Sequence, residues 1–297
     1  MNEAPTLQEL RAEVDEALKA ALPPETAWPP TIHQAVRYSL FAGGKRIRPL
    51  LVLSACEAVG GDRGEALPLA MAVEMIHTYS LVHDDLPAMD NDDLRRGKPT
   101  SHKVYGEAIA ILAGDALLTR AFHLLAEVGE GSDRTRLDRR LRATALLGEA
   151  CGTRGLIGGQ VEDLASEGRT IDGAALERLH RAKTGALLSA CVRGGGILGG
   201  AGPAEAAALG TYGESLGLAF QIVDDVLDAT GSAEELGKTA GKDLTAGKAT
   251  YVSVYGIARA REMAEELRVR ALSALDVLGD RGSLLRELGV LIVGRHA

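Results

Sequence analysis

The sequence predicts an all-α fold: a single-domain helical bundle of about ten helices. Three observations carry this. Alanine- and leucine-rich segments recur with apolar residues at helical spacing. No series of short, alternating β-branched strands lies between them. The connections are rich in Gly, Pro or Asp: "GGK", "GGDRGE", "GKPTSH" and "GSAEELGKTAGKDLTAGK".

Taken in order, segments 6–22 and 31–42 lead to the first glycine turn, and 48–59 follows it. Segment 66–85 is apolar and runs into "HDD"; Pro87, with no amide hydrogen, kinks or ends it. Segments 106–128, 136–151, 155–167 and 173–199 make up the middle of the chain. Segment 204–229 contains a second acidic stretch, and 249–278 and 283–293 close the chain. No low-complexity linker or fixed-period repeat interrupts the series, so residues 1–297 read as one domain.

Composition narrows the function. A chain of 297 residues, 46% hydrophobic, can bury a large core. Its 33 basic against 41 acidic residues give a net charge of −8, which argues against nucleic acid as the main partner. Cys56, Cys151 and Cys191 suggest neither a disulfide framework nor a paired metal site. The start, "MNEAPTLQEL", lacks the basic and apolar regions of a signal peptide. No uninterrupted apolar stretch reads as a membrane span. A soluble, cytoplasmic protein is expected.

Two acidic stretches need a common explanation. In "GLAFQIVDDVLDATG", Gln221, Asp224, Asp225 and Asp228 fall at i, i+3, i+4 and i+7, a narrow stripe on an otherwise apolar helix. Three carboxylates on one face repel, and burial raises the cost. A divalent cation resolves that conflict, and an all-oxygen donor set favours Mg²⁺. A solvated helix face is the alternative. In "MIHTYSLVHDDLPAMDNDD", His77, Ser80 and Asp84 share a face, and the bend at Pro87 is expected to return Asp90 beside Asp84. Taken alone, this segment reads equally as an acidic loop.

Cations complete the pattern: Lys45, Arg46 and Arg48 in "GGKRIRP", Arg95 and Arg96 in "DLRRGKP", Lys183 and Thr184 in "RAKTGALL", and Lys238, Lys242 and Lys248 near the "GKATY" stretch. The chain has 25 Arg and 8 Lys, and seven of the Lys lie in these segments or in "GKPTSHK". Where Arg is the default, a retained Lys suggests a need for a compact ammonium. None of the glycine–lysine stretches has the P-loop spacing. Carboxylates, Mg²⁺ and separate basic groups together imply phosphorylated ligands, two of them, held through metal and cation.

These motifs resemble those of the trans-isoprenyl diphosphate synthases, most closely the bacterial farnesyl diphosphate synthases. "HDDLPAMDNDDLRRGKPTSH" is similar to the first aspartate-rich motif and "FQIVDDVLD" to the second; "GGKRIRP", "KTGALL" and "GKATY" follow the family order. The resemblance implies an isoprenoid-synthase bundle around a deep central cavity, usually homodimeric, with the two motifs facing each other across its mouth. It implies that Asp84, Asp90 and Asp224 bind three Mg²⁺, with Asp85, Asp225 and Asp228 assisting. Arg95, Lys183, Thr184, Gln221, Lys238 and Lys248 would hold the allylic substrate, dimethylallyl or geranyl diphosphate. Lys45, Arg48, His77 and Arg96 would hold isopentenyl diphosphate. Condensation follows: the allylic C–O bond ionises, the second substrate's double bond attacks, and a proton leaves.

Tyr79, beside small Ser80, resembles an aromatic floor that goes with a C15 product, farnesyl diphosphate. A C20 synthase and a non-catalytic partner subunit are the alternatives. A terpene cyclase would need aromatic walls, and only 3% of this chain is aromatic. A Mg²⁺-dependent pyrophosphohydrolase on a helical bundle is a further rival.

Overall fold

The structure is a computed structural model that describes residues 5–127, 133–230 and 248–294. These residues are helical nearly throughout, as expected. The one sheet among them is a two-residue hairpin pairing Leu94 with Pro99 and Arg95 with Lys98. The chain divides into two compact units, Met1–Leu50 with Leu67–Asp133 and Leu51–Ala66 with Arg134–Ala297.

The first unit contains α1 (Leu7–Ala21), α2 (Pro30–Leu40), the first residues of α3 (Ile47–Ala58), most of α4 (Arg63–Asp84), β1 (Leu94–Arg95), β2 (Lys98–Pro99), α5 (Ser101–Tyr105) and α6 (Glu107–Ala126). Thr6 opens α1 with a capping box: its hydroxyl accepts from the Glu9 amide, and Glu9 accepts from the Thr6 amide. Leu10, Val14 and Leu18 then bury one face of α1. Pro30 starts α2, where a missing amide hydrogen costs nothing. Between α5 and α6, Gly106 takes a positive φ of 82°, so the expected helix over 106–128 begins one residue later. α6 is long and apolar enough, by length and composition, to cross a membrane, which the sequence reading did not register. It carries Asp115 and Arg120, and its Ala113, Leu117 and Ala121 are buried.

The second unit contains the rest of α3 with α7 (Arg134–Cys151), α8 (Leu156–Ser166), α9 (Gly173–His180), a π-helical turn (Arg181–Gly185), α10 (Ala186–Gly199) and α11 (Pro203–Thr230). It closes with α12 (Tyr251–Tyr255), α13 (Ile257–Ala274), a 3₁₀ segment (Leu275–Gly282) and α14 (Ser283–Val293). The segment predicted as one helix over 173–199 is continuous but widens at Arg181–Gly185. The segment predicted over 249–278 breaks at Gly256, where φ is 78°. Glycine lets α10 lie against the end of α3: a Cβ at Gly195 would sit 2.2 Å from the Val52 carbonyl oxygen. The core on α11 packs Leu218, Ile222, Val223 and Val226 against Leu176, Tyr251, Ala260 and Ala264. Tyr212 joins α11 to α14 by donating to the Leu285 carbonyl at 2.6 Å.

One buried ion-pair set braces the first unit. Arg46, 5% exposed, donates to Glu74 at 2.7 Å, to Asp15 at 2.8 Å and to the Leu40 carbonyl at 2.9 Å. Of the three cations in "GGKRIRP", Arg46 is therefore structural. Arg46→Met leaves Glu74 buried and unpaired, at a cost of about 3–5 kcal/mol. Denaturant unfolding followed by circular dichroism should show a loss of that size. The double variant Arg46→Met/Glu74→Leu should regain most of it, since both buried charges are then gone and the remaining Asp15 is partly solvated.

Candidate active site

In the first unit α4 ends at Asp84, three residues before Pro87. The chain then folds back as expected. The Asp90 amide donates to the Asp84 carbonyl at 2.9 Å, and the Asp92 amide to the Asp85 carbonyl at 3.2 Å. Asn91 permits the reversal with φ 50°. Thr100 pins the far side by donating to the Asp92 carbonyl at 2.7 Å. Asp84 and Asp90 are half-buried, whereas Asp85 is 4% exposed. Asp85 is held by Arg95, whose Nε lies 3.0 Å from its Oδ1, and Arg95 also reaches Asp92 at 3.3 Å. Burial raises the Asp85 pKa and Arg95 opposes the rise, leaving it above its ordinary value.

The hairpin turn is Arg96–Gly97, with φ 54° and 74°. Two positive angles suit a two-residue hairpin, for which Asn–Gly is the usual choice. Arg96 holds this conformation while donating to the Gly43 carbonyl. Gly44 leaves the room: a Cβ there would lie 2.6 Å from the Arg96 guanidinium. The "GGKRIRP" loop and the hairpin are thereby interlocked, with Lys45 exposed and Arg48 half-buried. His77 accepts Ser80 Oγ on its backbone carbonyl at 2.8 Å. Burial, with Arg48, Arg96, Arg95 and Arg46 nearby, pushes its pKa well below the usual range. His77 is thus a neutral hydrogen-bonding group rather than part of a cationic set. Tyr79 is buried with its ring edge-on to His83, centroids 5.7 Å apart, and His83 lies 3.0 Å from the Ile111 carbonyl.

In the second unit the acidic stripe of α11 is less open than expected: Asp225 is 4% and Asp228 8% exposed, and only Asp224 is half-buried. Asp225 is affordable there because its oxygens are used. Oδ1 accepts from Gln221 Nε2 at 3.0 Å, and Oδ2 from the Tyr251 amide at 2.8 Å. Thr184 donates to Gln221 Oε1 at 3.0 Å, extending the chain of bonds to the π turn. Lys183, on the same turn, donates to Asp163 Oδ2 at 2.6 Å, and Lys248 lies 3.5 Å from that oxygen. Sequence reasoning missed Asp163, which lies outside both aspartate-rich stretches; its pattern shows only in three dimensions. Lys238 and Lys242 lie outside the described residues. A cavity of about 390 Å³ in this unit, lined by Arg154, Arg181, Arg193 and Glu214, contains none of the candidate residues.

Among the described residues no three His, Cys, Asp or Glu side chains form a ready cation cage. That pattern fits Mg²⁺, which takes one or two carboxylates and completes its shell with water and substrate phosphate. Asp84 and Asp90 in the first unit, and Asp224 and Asp228 in the second, each offer carboxylate oxygens, the donor type such an ion takes.

The comparisons with known proteins agree with this chemistry. A family model described as Polyprenyl synthetase matches residues 29–274. The chain belongs to the polyprenyl synthetase family. It is 52% identical over 289 residues to geranylgeranyl pyrophosphate synthase 11, chloroplastic, of Arabidopsis thaliana, covering 95% of this chain and 79% of that protein. The solved FPP/GFPP synthase of Zymomonas mobilis is 39% identical with a TM-score of 0.85, covering 97% of each chain. The geranyltransferase of Helicobacter pylori, solved with magnesium and isoprenyl diphosphate, is 32% identical with a TM-score of 0.83, covering 99% of this chain and 98% of its own. The family, its fold and its prenyltransferase chemistry are those the motifs implied.

His180 offers a test of the second unit. It is buried and stacks on Tyr251, centroids 5.5 Å apart. Asp225 Oδ2 lies 3.7 Å from its Nε2, beyond hydrogen-bond range, and is already committed to Tyr251. Burial, with a smaller push from Lys183, lowers its pKa from 6.5 to about 4. Between those values the unfolded chain takes up a proton that the folded chain does not. Stability is therefore full above pH 6.5 and falls as pH drops toward 4, by about 3 kcal/mol for this group. Unfolding in chelator across that window should show a smaller loss for His180→Phe than for the parent.

Proposed function

We propose that this prenyltransferase condenses isopentenyl diphosphate with dimethylallyl or geranyl diphosphate and extends the product to geranylgeranyl diphosphate. The observation that carries the reaction is the joint presence, inside the stretch matched by the family model, of the folded-back Asp84–Asp90 turn and the Lys183–Lys248 pair. Both units lie largely within that stretch, which supports reading them as one polyprenyl synthetase domain. The metal set proposed is Asp84, Asp90, Asp224 and Asp228, for three Mg²⁺. Bound Mg²⁺ supplies Lewis-acid stabilisation of the departing diphosphate.

The chain's own residues share the remaining work. Arg95, Lys183, Thr184, Gln221, Lys238 and Lys248 orient the allylic diphosphate, and the ammonium and guanidinium groups meet the charge that grows as the C–O bond breaks. Lys45, Arg48, neutral His77 and Arg96 hold isopentenyl diphosphate, whose double bond attacks the allylic carbon as diphosphate departs; the cation so formed loses a proton to give the new double bond. Asp85 and Asp225 assist from buried positions, holding Arg95 and Gln221. A homodimer is part of this proposal, supported by Ile111 and Leu112, 44% and 52% exposed on α6. So is the cytoplasm, supported by three free, buried cysteines.

The C20 product rests on the Arabidopsis relative, in place of the C15 product that Tyr79 suggested. Farnesyl diphosphate is the second reading. Its support is the buried Tyr79 ring against His83 on α4, together with the likeness to an FPP/GFPP synthase.

Incubation with both substrates and Mg²⁺ should yield a prenyl diphosphate and release diphosphate. Hydrolysis without condensation, or no reaction, would remove the proposal. Asp84→Ala and Asp224→Ala should each cost about 3 kcal/mol of transition-state stabilisation, roughly 100-fold in rate, with helicity unchanged. Near-parental turnover at limiting Mg²⁺ would clear that residue of a metal role. Chromatography of the products decides length. Tyr79→Ala should lengthen whatever the parent makes by at least one C5 unit, and an unchanged product would show that Tyr79 is no floor.

A further inference from the structure

We propose that Asp163 is a positioning residue for prenyl transfer: its carboxylate gathers Lys183 and Lys248 and sets where their ammonium groups meet the allylic diphosphate. The inference rests on the prenyltransferase reading above and adds a residue to it.

The geometry begins at Gly159. A Cβ there would lie 2.3 Å from the Lys183 amide nitrogen and 2.5 Å from its Cα, so glycine is what lets α8 press onto the π turn. Asp163 follows four residues later on the same face of α8. Its side chain therefore arrives beneath Lys183. One oxygen, Oδ2, then serves both lysines, at 2.6 Å and 3.5 Å. Lys248 reaches it from three residues before the start of α12, 65 positions along the chain from Lys183.

Charge explains why a carboxylate belongs there. Two ammonium groups drawn this close repel, and both are only partly solvated, with side chains 25% and 15% exposed. Asp163 offsets the repulsion. Burial would raise its pKa, but Lys183 and Lys248 outweigh burial and hold it below the usual carboxylate range. It is an anion facing two cations, with Glu167 3.8 Å from Lys248 as the next acid and His180 neutral nearby. An ammonium has three donors. Lys183 uses one on Asp163 and keeps the others for a ligand, and its four-carbon stem loses the freedom that would otherwise oppose binding.

Removing the charge has two opposed effects. The pair becomes more positive toward an incoming diphosphate, which strengthens ground-state attraction. The ammonium groups also lose their fixed placement, which weakens their hold on the leaving group where its charge develops. The signature of positioning is therefore a slower chemical step without weaker allylic binding.

The test uses the full-length chain. Asp163→Asn should lower the single-turnover rate at least tenfold, leave the allylic KM unchanged or lower, and keep the isopentenyl KM within twofold. Asp163→Asn should slow a Lys183→Met chain by clearly less than it slows the parent, because part of its action runs through that lysine and only the remainder through Lys248. Asp163→Glu, which keeps the charge but shifts it by one methylene, should fall between parent and Asn, and it decides the matter by the same comparison if the Asn variant fails to fold. A rate within twofold of the parent, multiplicative losses in the double variant, or a joint rise in both KM values would overturn the inference. Calorimetric titration with magnesium and inorganic diphosphate separates the two levels. A parent chain that neither binds this pair nor turns over removes the prenyltransferase reading, whereas an active parent with an indifferent Asp163→Asn removes only the role of Asp163.

Discussion

Charge crowding has to be settled inside the chain before any ligand arrives, and the placement of the polar residues follows from that need. Asp85, nearly buried, is balanced by Arg95. Asp225, equally buried, is balanced by a backbone amide and a side-chain amide instead. Lys183 and Lys248 share Asp163. In each case the group farther from solvent takes an internal partner, and the half-buried Asp84, Asp90 and Asp224 are left nearer the surface. In each "DD" pair the deeper aspartate carries an organising contact, Arg95 for Asp85 and Gln221 with the Tyr251 amide for Asp225.

Much of this was legible in the sequence. Helical periodicity located nearly every element, because apolar spacing is a local property of the chain. The reversal that brings Asp90 back to Asp84 could be read from Pro87, since proline disfavours helix in the residue before it. The interruptions were harder. Gly256 breaks a helix that composition carries straight through, and the widened turn at Arg181–Gly185 has no compositional mark. Asp163 was illegible for a different reason: its partners lie 20 and 85 positions away. The lowered pKa of His77 is likewise non-local: burial is its first cause, and four arginines gathered in space add to it.

Product length shows the same boundary between local and non-local information. Tyr79 and Ser80 are adjacent in sequence, and the C15 expectation came from the family resemblance they carry. The closeness of α4 and α6, where a Cβ on Gly114 would lie 2.1 Å from His83 Nε2, is not visible there. The Tyr79 ring is backed by His83, itself wedged against α6.

The interlock of Gly44 with Arg96 carries a consequence for how the first unit becomes ordered. The glycine loop has few side chains with which to define its own path. The hairpin is two residue pairs long, too short to stand alone. Each borrows definition from the other, across about fifty residues of chain. The loop that presents Lys45 and the turn that presents Arg96 therefore gain order in a single cooperative event. A chain damaged in the hairpin would report the injury as wandering of a lysine it never touches in sequence.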